Sequence, residues 1–166
     1  MAGSRLIICN TSPLINLAET DCLDLLDGLP GTVVAPPAVL SELRAKAAIF
    51  PSAARLAEPD TRIITHAPTD TLLVRSFAAN LHPGEAECLA LAMEQPDSLL
   101  IIDDLSARAA ARANHLPFTG TLGILAKAKA DGKLDALAPV IHALKSQARF
   151  WIHPKLAAAM LRDAGE

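Results

Sequence analysis

Apolar residues along the 166-residue chain follow two alternating rhythms. Short continuous apolar runs predict buried strands over 5–9, 32–35, 61–65, 98–102 and 117–119. Between them, apolar positions recur at helical spacing. This predicts helices over 13–27 (broken near Thr20), 37–47, 51–57, 69–79, 83–95, 104–114, 120–131 and 134–147. Asp131-Gly132 is a helix-stop signal. The tail 149–166 reads as a docking segment: an edge strand at Arg149-Phe150-Trp151-Ile152, then a helix over 154–163. Phe150 and Trp151 most simply pack into the core or a docking seam, and an exposed partner-binding anchor is the other reading. Strands separated by long helices predict a central, mainly parallel sheet covered on both faces, an α/β sandwich of three layers. No linker or internal repeat interrupts the pattern, so residues 1–166 read as a single domain.

Composition sharpens this. Half the residues are apolar and only 3% are aromatic, which suits a helix-rich α/β domain better than an all-β one. No apolar run approaches the ~20 residues of a membrane span, and no signal-peptide pattern opens the chain. Cys9, Cys22 and Cys88 lie in apolar settings without metal-ligand spacing, as expected of buried thiols in a cytoplasmic protein. His66, His82, His115, His142 and His153 are scattered and support neither zinc nor triad chemistry. The net charge of −3 is unevenly spread: residues 1–103 carry 13 acids and 6 Lys/Arg, residues 104–166 carry 5 acids and 9 Lys/Arg. A basic half beside an acidic cluster can hold a phosphodiester, while a solvated surface is the plainer reading.

The acids carry the candidate chemistry. Asp103 and Asp104 follow an apolar run, where an open α/β sheet places its ligand crevice. Adjacent side chains diverge, so one can face the crevice while the other caps the next helix. With Glu85 as origin and about 100° per residue, Leu89 falls at about 40° and Ala92 at about 340°, which sets Glu85 along the apolar stripe. A carboxylate there needs compensation, from a cation or from the helix start itself. Glu87 falls on the polar face and reads as a solvated acid, and Glu42 only borders an apolar face. Several acids converging on one crevice suggest a divalent-metal site.

The runs ICNTSPLINLAE (8–19), VLSELR (39–44), GEAECLALA (84–92), IIDDLSAR (101–108) and FTGTLGILAKAKADGKL (118–134) together resemble the PIN-domain superfamily, in particular its prokaryotic branch with an NTSPLI start. The resemblance implies an α/β/α sandwich and Mg²⁺- or Mn²⁺-dependent cleavage of RNA. Many relatives are toxins held inactive by a small antitoxin protein. It places Asn10 where the family normally has a metal-binding Asp, and it matches Glu42, Glu85 and Asp104 to the remaining acids. Asp103 takes the spacer position, supporting the site through water. An amide oxygen can coordinate Mg²⁺ but brings no charge, so Asn10 leaves the site one negative charge short of the family pattern.

On this resemblance the chemistry is metal-assisted hydrolysis, catalysed by Glu42, Glu85 and Asp104 with Asp103, and with Asn10 completing the metal ligands. Thr11 and Ser12 are candidates to donate to substrate or to a metal ligand, and serve equally well as helix caps. Arg108 is a candidate phosphate contact, with a solvated helix residue as the plainer reading. Thr119 and Thr121 flank Gly120 as turn and cap residues. A non-catalytic binding module is the competing function, with Asn10 in its favour. A phosphatase-like enzyme would need a nucleophilic Asp where Asn10 stands. The Ala- and Leu-rich helices are compatible with a homodimer.

Overall fold

The computed structural model describes residues 5–59 and 62–166. Strand β1, Leu6–Cys9, leads into helix α1, Thr11–Glu19. The predicted break at Thr20 is real: Asp21 adopts φ 55° and a 3-10 turn, Leu23–Gly28, replaces the second half of that helix. Strand β2, Thr32–Ala35, is followed by α2, Pro37–Lys46, and α3, Pro51–Leu56, each opened by a proline in its first turn. Strand β3, Ile64–Thr65, is shorter than the predicted 61–65, of which residue 61 lies outside the described residues. Helices α4, Thr71–Ala78, and α5, Pro83–Glu94, precede β4, Leu99–Ile101. Then come α6, Leu105–Ala113, β5, Phe118–Thr119, α7, Thr121–Ala130, α8, Ala138–Ser146, and α9, Pro154–Asp163.

Two expectations about the C-terminal part are corrected. Residues 134–137 are not helical; α8 starts at Ala138, where Pro139 has no N–H to lose and Glu166 accepts the Leu137 and Ala138 amides at 2.7 and 2.9 Å. Residues 149–152 form no edge strand. Arg149 takes φ 55°, turning the chain so that the Phe150 amide bonds back to Leu144 O at 2.9 Å. Gly132 takes φ 70° just beyond α7, as the stop signal requires.

The described strands form one parallel sheet in the order β3-β2-β1-β4-β5. From β1 the chain moves outward one way through β2 and β3, then returns to the other side of β1 with β4. The order therefore switches between β1 and β4, and ligands of such sheets bind beyond the carboxyl ends there. Register pairs Cys9 with Ile101, so the residues after these strands, Asn10 and Ile102-Asp103-Asp104, come out side by side. Ile7, Ile8, Leu100 and Ile101 are fully buried, as continuous apolar strands covered on both faces must be. Helix α5 is buried for most of its length: Cys88, Leu89 and Leu91 are inaccessible. Cys9, Cys22 and Cys88 are buried free thiols. No helix of the described residues is long and apolar enough to cross a membrane.

Candidate functional site

Asn10 directly follows β1 and occupies the N-cap position of α1. Its amide donates to Ile101 O at 3.0 Å, fastening the ends of β1 and β4 together. Its side chain is 4% exposed, and Oδ1 has no hydrogen-bond partner among the described residues. An unpaired buried acceptor costs about 1–3 kcal/mol, so this oxygen calls for a donor or a cation that the described residues do not supply.

Glu42 enters from α2. Its Oε1 accepts the Gly84 N–H at 2.8 Å, and its Oε2 accepts the Thr11 hydroxyl. A Cβ at position 84 would lie 2.6 Å from that Oε2, so glycine is what lets the carboxylate approach. Thr11 and Gly84 both sit in first helical turns, where unpaired N–H groups and the positive dipole end favour an anion. Glu42 thereby joins the starts of α1 and α5, a role its bland spacing did not reveal.

Glu85 lies one residue further along α5 and is 7% exposed. Its Oε2 accepts the His82 amide at 3.1 Å. Burial pushes its carboxyl above the ordinary value; the His82 amide opposes the rise, while the negative charges of Asp104 and Glu42 add to it. Asp104 caps α6, its Oδ1 accepting the Ala107 N–H at 2.9 Å. Glu85, Asp104, His82, Asn80 and Ser106 line one cavity of about 330 Å³. Of the three acids matched by family order, Asp104 and Glu42 thus both act on Glu85 through space.

Asp103 turns the other way. Its Oδ1 accepts the Thr121 amide at 2.8 Å, and its Oδ2 accepts the Thr121 hydroxyl at 2.6 Å and Asn16 Nδ2 at 3.0 Å. Asn16 and Thr121 are 4% and 0% exposed. The carboxylate therefore clamps α1 and α7 onto the end of β4. Gly120 makes room for it, since a Cβ there would stand 2.6 Å from Asp103 Oδ1.

Arg108 is not the solvated residue expected. Its Nε donates to Ile102 O at 2.9 Å and its guanidinium lies 5.7 Å from the Phe118 ring, which fixes a positive charge beside the β4 end. Glu87 is corrected likewise: its Oε2 accepts the Ala38 amide at 2.8 Å and so caps α2. Ser12 is half-buried in the first turn of α1.

Sequence reasoning missed Asn16 and His82. Asn16 interrupts the apolar stretch Leu14-Ile15-Leu17, and a polar residue there signals a buried partner. His82 carried no ligand spacing, but its place before the helix start at Pro83-Gly84 put it beside Glu85.

The donor set at the β1/β4 switch is all oxygen: one amide and three carboxylates, the chemistry that suits a hard divalent cation. The unpaired Asn10 Oδ1 and the Glu85 carboxyl, raised by burial and then by its acidic neighbours, both fit such an ion. Among the described residues, no three His, Cys, Asp or Glu side chains stand close enough as placed to hold one ion by themselves.

No curated protein and no solved structure matches the chain. A family model described as PIN domain matches residues 6–166, nearly the full length and every segment of the site. With the parallel sandwich and the acids gathered at its switch point, the match settles the family: this chain belongs to the PIN-domain family, whose fold is nuclease-like.

Proposed function

We propose that the chain is a metal-dependent ribonuclease of the PIN type, the toxin component of a prokaryotic toxin–antitoxin pair. The observation that carries the ribonuclease reading is the buried, unpaired Asn10 Oδ1 at the strand-switch end that also bears Glu42, Glu85 and Asp104. The toxin role rests on the family resemblance, and an RNA substrate and a small antitoxin are its implied partners.

Glu42, Glu85 and Asp104 would hold Mg²⁺ or Mn²⁺, with Asn10 supplying a neutral oxygen. A metal bound there lowers the pKa of a water and offsets charge developing on the scissile phosphate. Thr11 orients Glu42 through its hydroxyl. Asp103 acts from behind, fixing the β4 end that carries Asp104 through its bonds to Asn16 and Thr121. Arg108 and Ser12 are the nearby candidates for phosphate contact, Arg108 being held rigidly enough to orient one.

The test is incubation of structured and unstructured RNA with the purified protein and Mg²⁺ or Mn²⁺, beside a Glu85→Gln/Asp104→Asn double variant. Metal-dependent cleavage lost in the variant supports the assignment, and equal activity in both removes it. Growth arrest on expression, relieved by a small protein encoded next to it, tests the toxin role separately.

One observation favours a second reading, a non-catalytic PIN-like module that binds nucleic acid or protein. Both oxygens of Glu42 are engaged within the protein. That module would bind without cleaving at any metal concentration.

A further inference from the structure

Trp151 is the single tryptophan of the chain and is 75% exposed. It is not exposed because its segment is loose. The left-handed turn at Arg149 redirects the chain, Phe150 packs half-buried against the core, and Ile152 is 4% exposed. With inward anchors on both sides, an extended segment must present the intervening side chain outward. His153 stands edge-on to the indole, ring centroids 5.8 Å apart and planes at 87°, and its Nδ1 accepts the Lys155 amide at 3.2 Å. The indole is held from one side and bare on the other.

The segment that carries it bears only cationic charges. Residues 136–162 contain four Lys/Arg and no acid. Lys145, Arg149 and Lys155 are exposed, and none of them forms an ion pair among the described residues. Helix α8 packs against α1, whose N-cap is Asn10, and Glu166 ties the end of α9 to the start of α8.

We infer that Trp151, backed by His153 and flanked by Lys145, Arg149 and Lys155, is a stacking platform for single-stranded RNA. An aromatic face offers sequence-tolerant stacking to any base, and the cations hold the phosphates on either side. The absence of acids over 136–162 selects a polyanion over an ordinary protein surface. The choice of RNA rests on the ribonuclease reading, with the platform gripping the strand away from the reacting phosphate.

Binding can be read without catalysis. Trp151 fluorescence is titrated with a short oligouridylate and a short oligoadenylate in EDTA, and anisotropy of the labelled oligonucleotides is followed in parallel. Saturable quenching by both is expected. Trp151→Ala should weaken binding about five- to a hundredfold, and Trp151→Phe should restore part of it. Lys145→Ala and Lys155→Ala should each lower the salt dependence of binding. Far-UV circular dichroism confirms that each variant is folded. Unchanged affinity in folded Trp151→Ala overturns the platform, as does fluorescence that responds to protein concentration or to an acidic partner protein but not to RNA. If RNA quenches Trp151 while cleavage never appears with any metal, the platform stands and the nuclease reading falls. If cleavage proceeds with unchanged KM in Trp151→Ala, only the platform falls.

Discussion

Asp103 and Thr121 are joined twice, Oδ1 to the threonine amide at 2.8 Å and Oδ2 to its hydroxyl at 2.6 Å. With Asn16 on the same carboxylate, the end of β4 is bonded to helices before and after it in sequence. Asp103→Ala leaves buried donors unpaired on both helices and should cost about 2–4 kcal/mol of stability. Urea unfolding measures this. A midpoint equal to that of the unmodified chain would show that the clamp contributes nothing.

Glu85 carries the pH dependence of the metal-free site. Burial raises its carboxyl, so the folded chain keeps a proton that the unfolded chain has already released. Stability from this group therefore falls as pH rises from the ordinary glutamate value through the raised one. Glu85→Gln should make the metal-free protein more stable above that window and leave it unchanged below. Thermal melts in EDTA from acid to neutral pH test the sign. In the unmodified chain Mn²⁺ should bind more tightly as pH rises, because binding displaces the Glu85 proton.

The strand positions and the parallel sheet were legible because buried strands are continuous apolar runs and helices keep a different period. Glu85 was legible for the same reason, as an acid on an apolar stripe. Glu42 was not: it gains its place from Gly84 and Thr11, 42 and 31 residues away, and no local period records such distant bonds. Glu87 was read as solvated because its helical face is polar, and for Arg108 a solvated helix residue was the plainer reading beside a phosphate contact. Each instead serves a backbone group of a neighbouring element, Ala38 N–H and Ile102 C=O. Trp151 was read first as a core or docking residue, with an exposed anchor as the alternative, since composition cannot tell that Phe150 and Ile152 take the inward positions on either side of it.

Asn10 is the neutral corner of the proposed ion site. Asn10→Asp places a further charge, buried, at the strand-switch end where burial, and then Asp104 and Glu42, already raise Glu85. Without metal the added repulsion and burial should lower the melting temperature. With Mn²⁺ the added anionic ligand should tighten binding by on the order of tenfold or more, since ligand charge tunes affinity at such sites. Calorimetric titration with Mn²⁺ and melts in EDTA read the two effects in opposite directions. A variant destabilised without metal and no tighter for Mn²⁺ would show that Asn10 lies outside the ion's reach.

Glu166 gives the opposite pH signature from Glu85, far from the site. Its carboxylate accepts the Leu137 and Ala138 amides at the start of α8 and pairs with Lys129 at 3.0 Å. Those bonds, the two amides first, hold its carboxyl at about 2. The folded value lies below the unfolded one, so the stabilisation is complete above the ordinary glutamate range and is lost as pH falls from there toward 2. Glu166→Gln should lower the melting temperature at neutral pH, and the gap from the unmodified chain should close as pH drops through that window. Because Glu166 accepts the first amides of α8, the variant should also speed amide exchange at Leu137 and Ala138 while leaving β1 and β4 protected. Exchange that rises equally across the sheet would mean that Glu166 supports the fold globally rather than the α8–α9 junction.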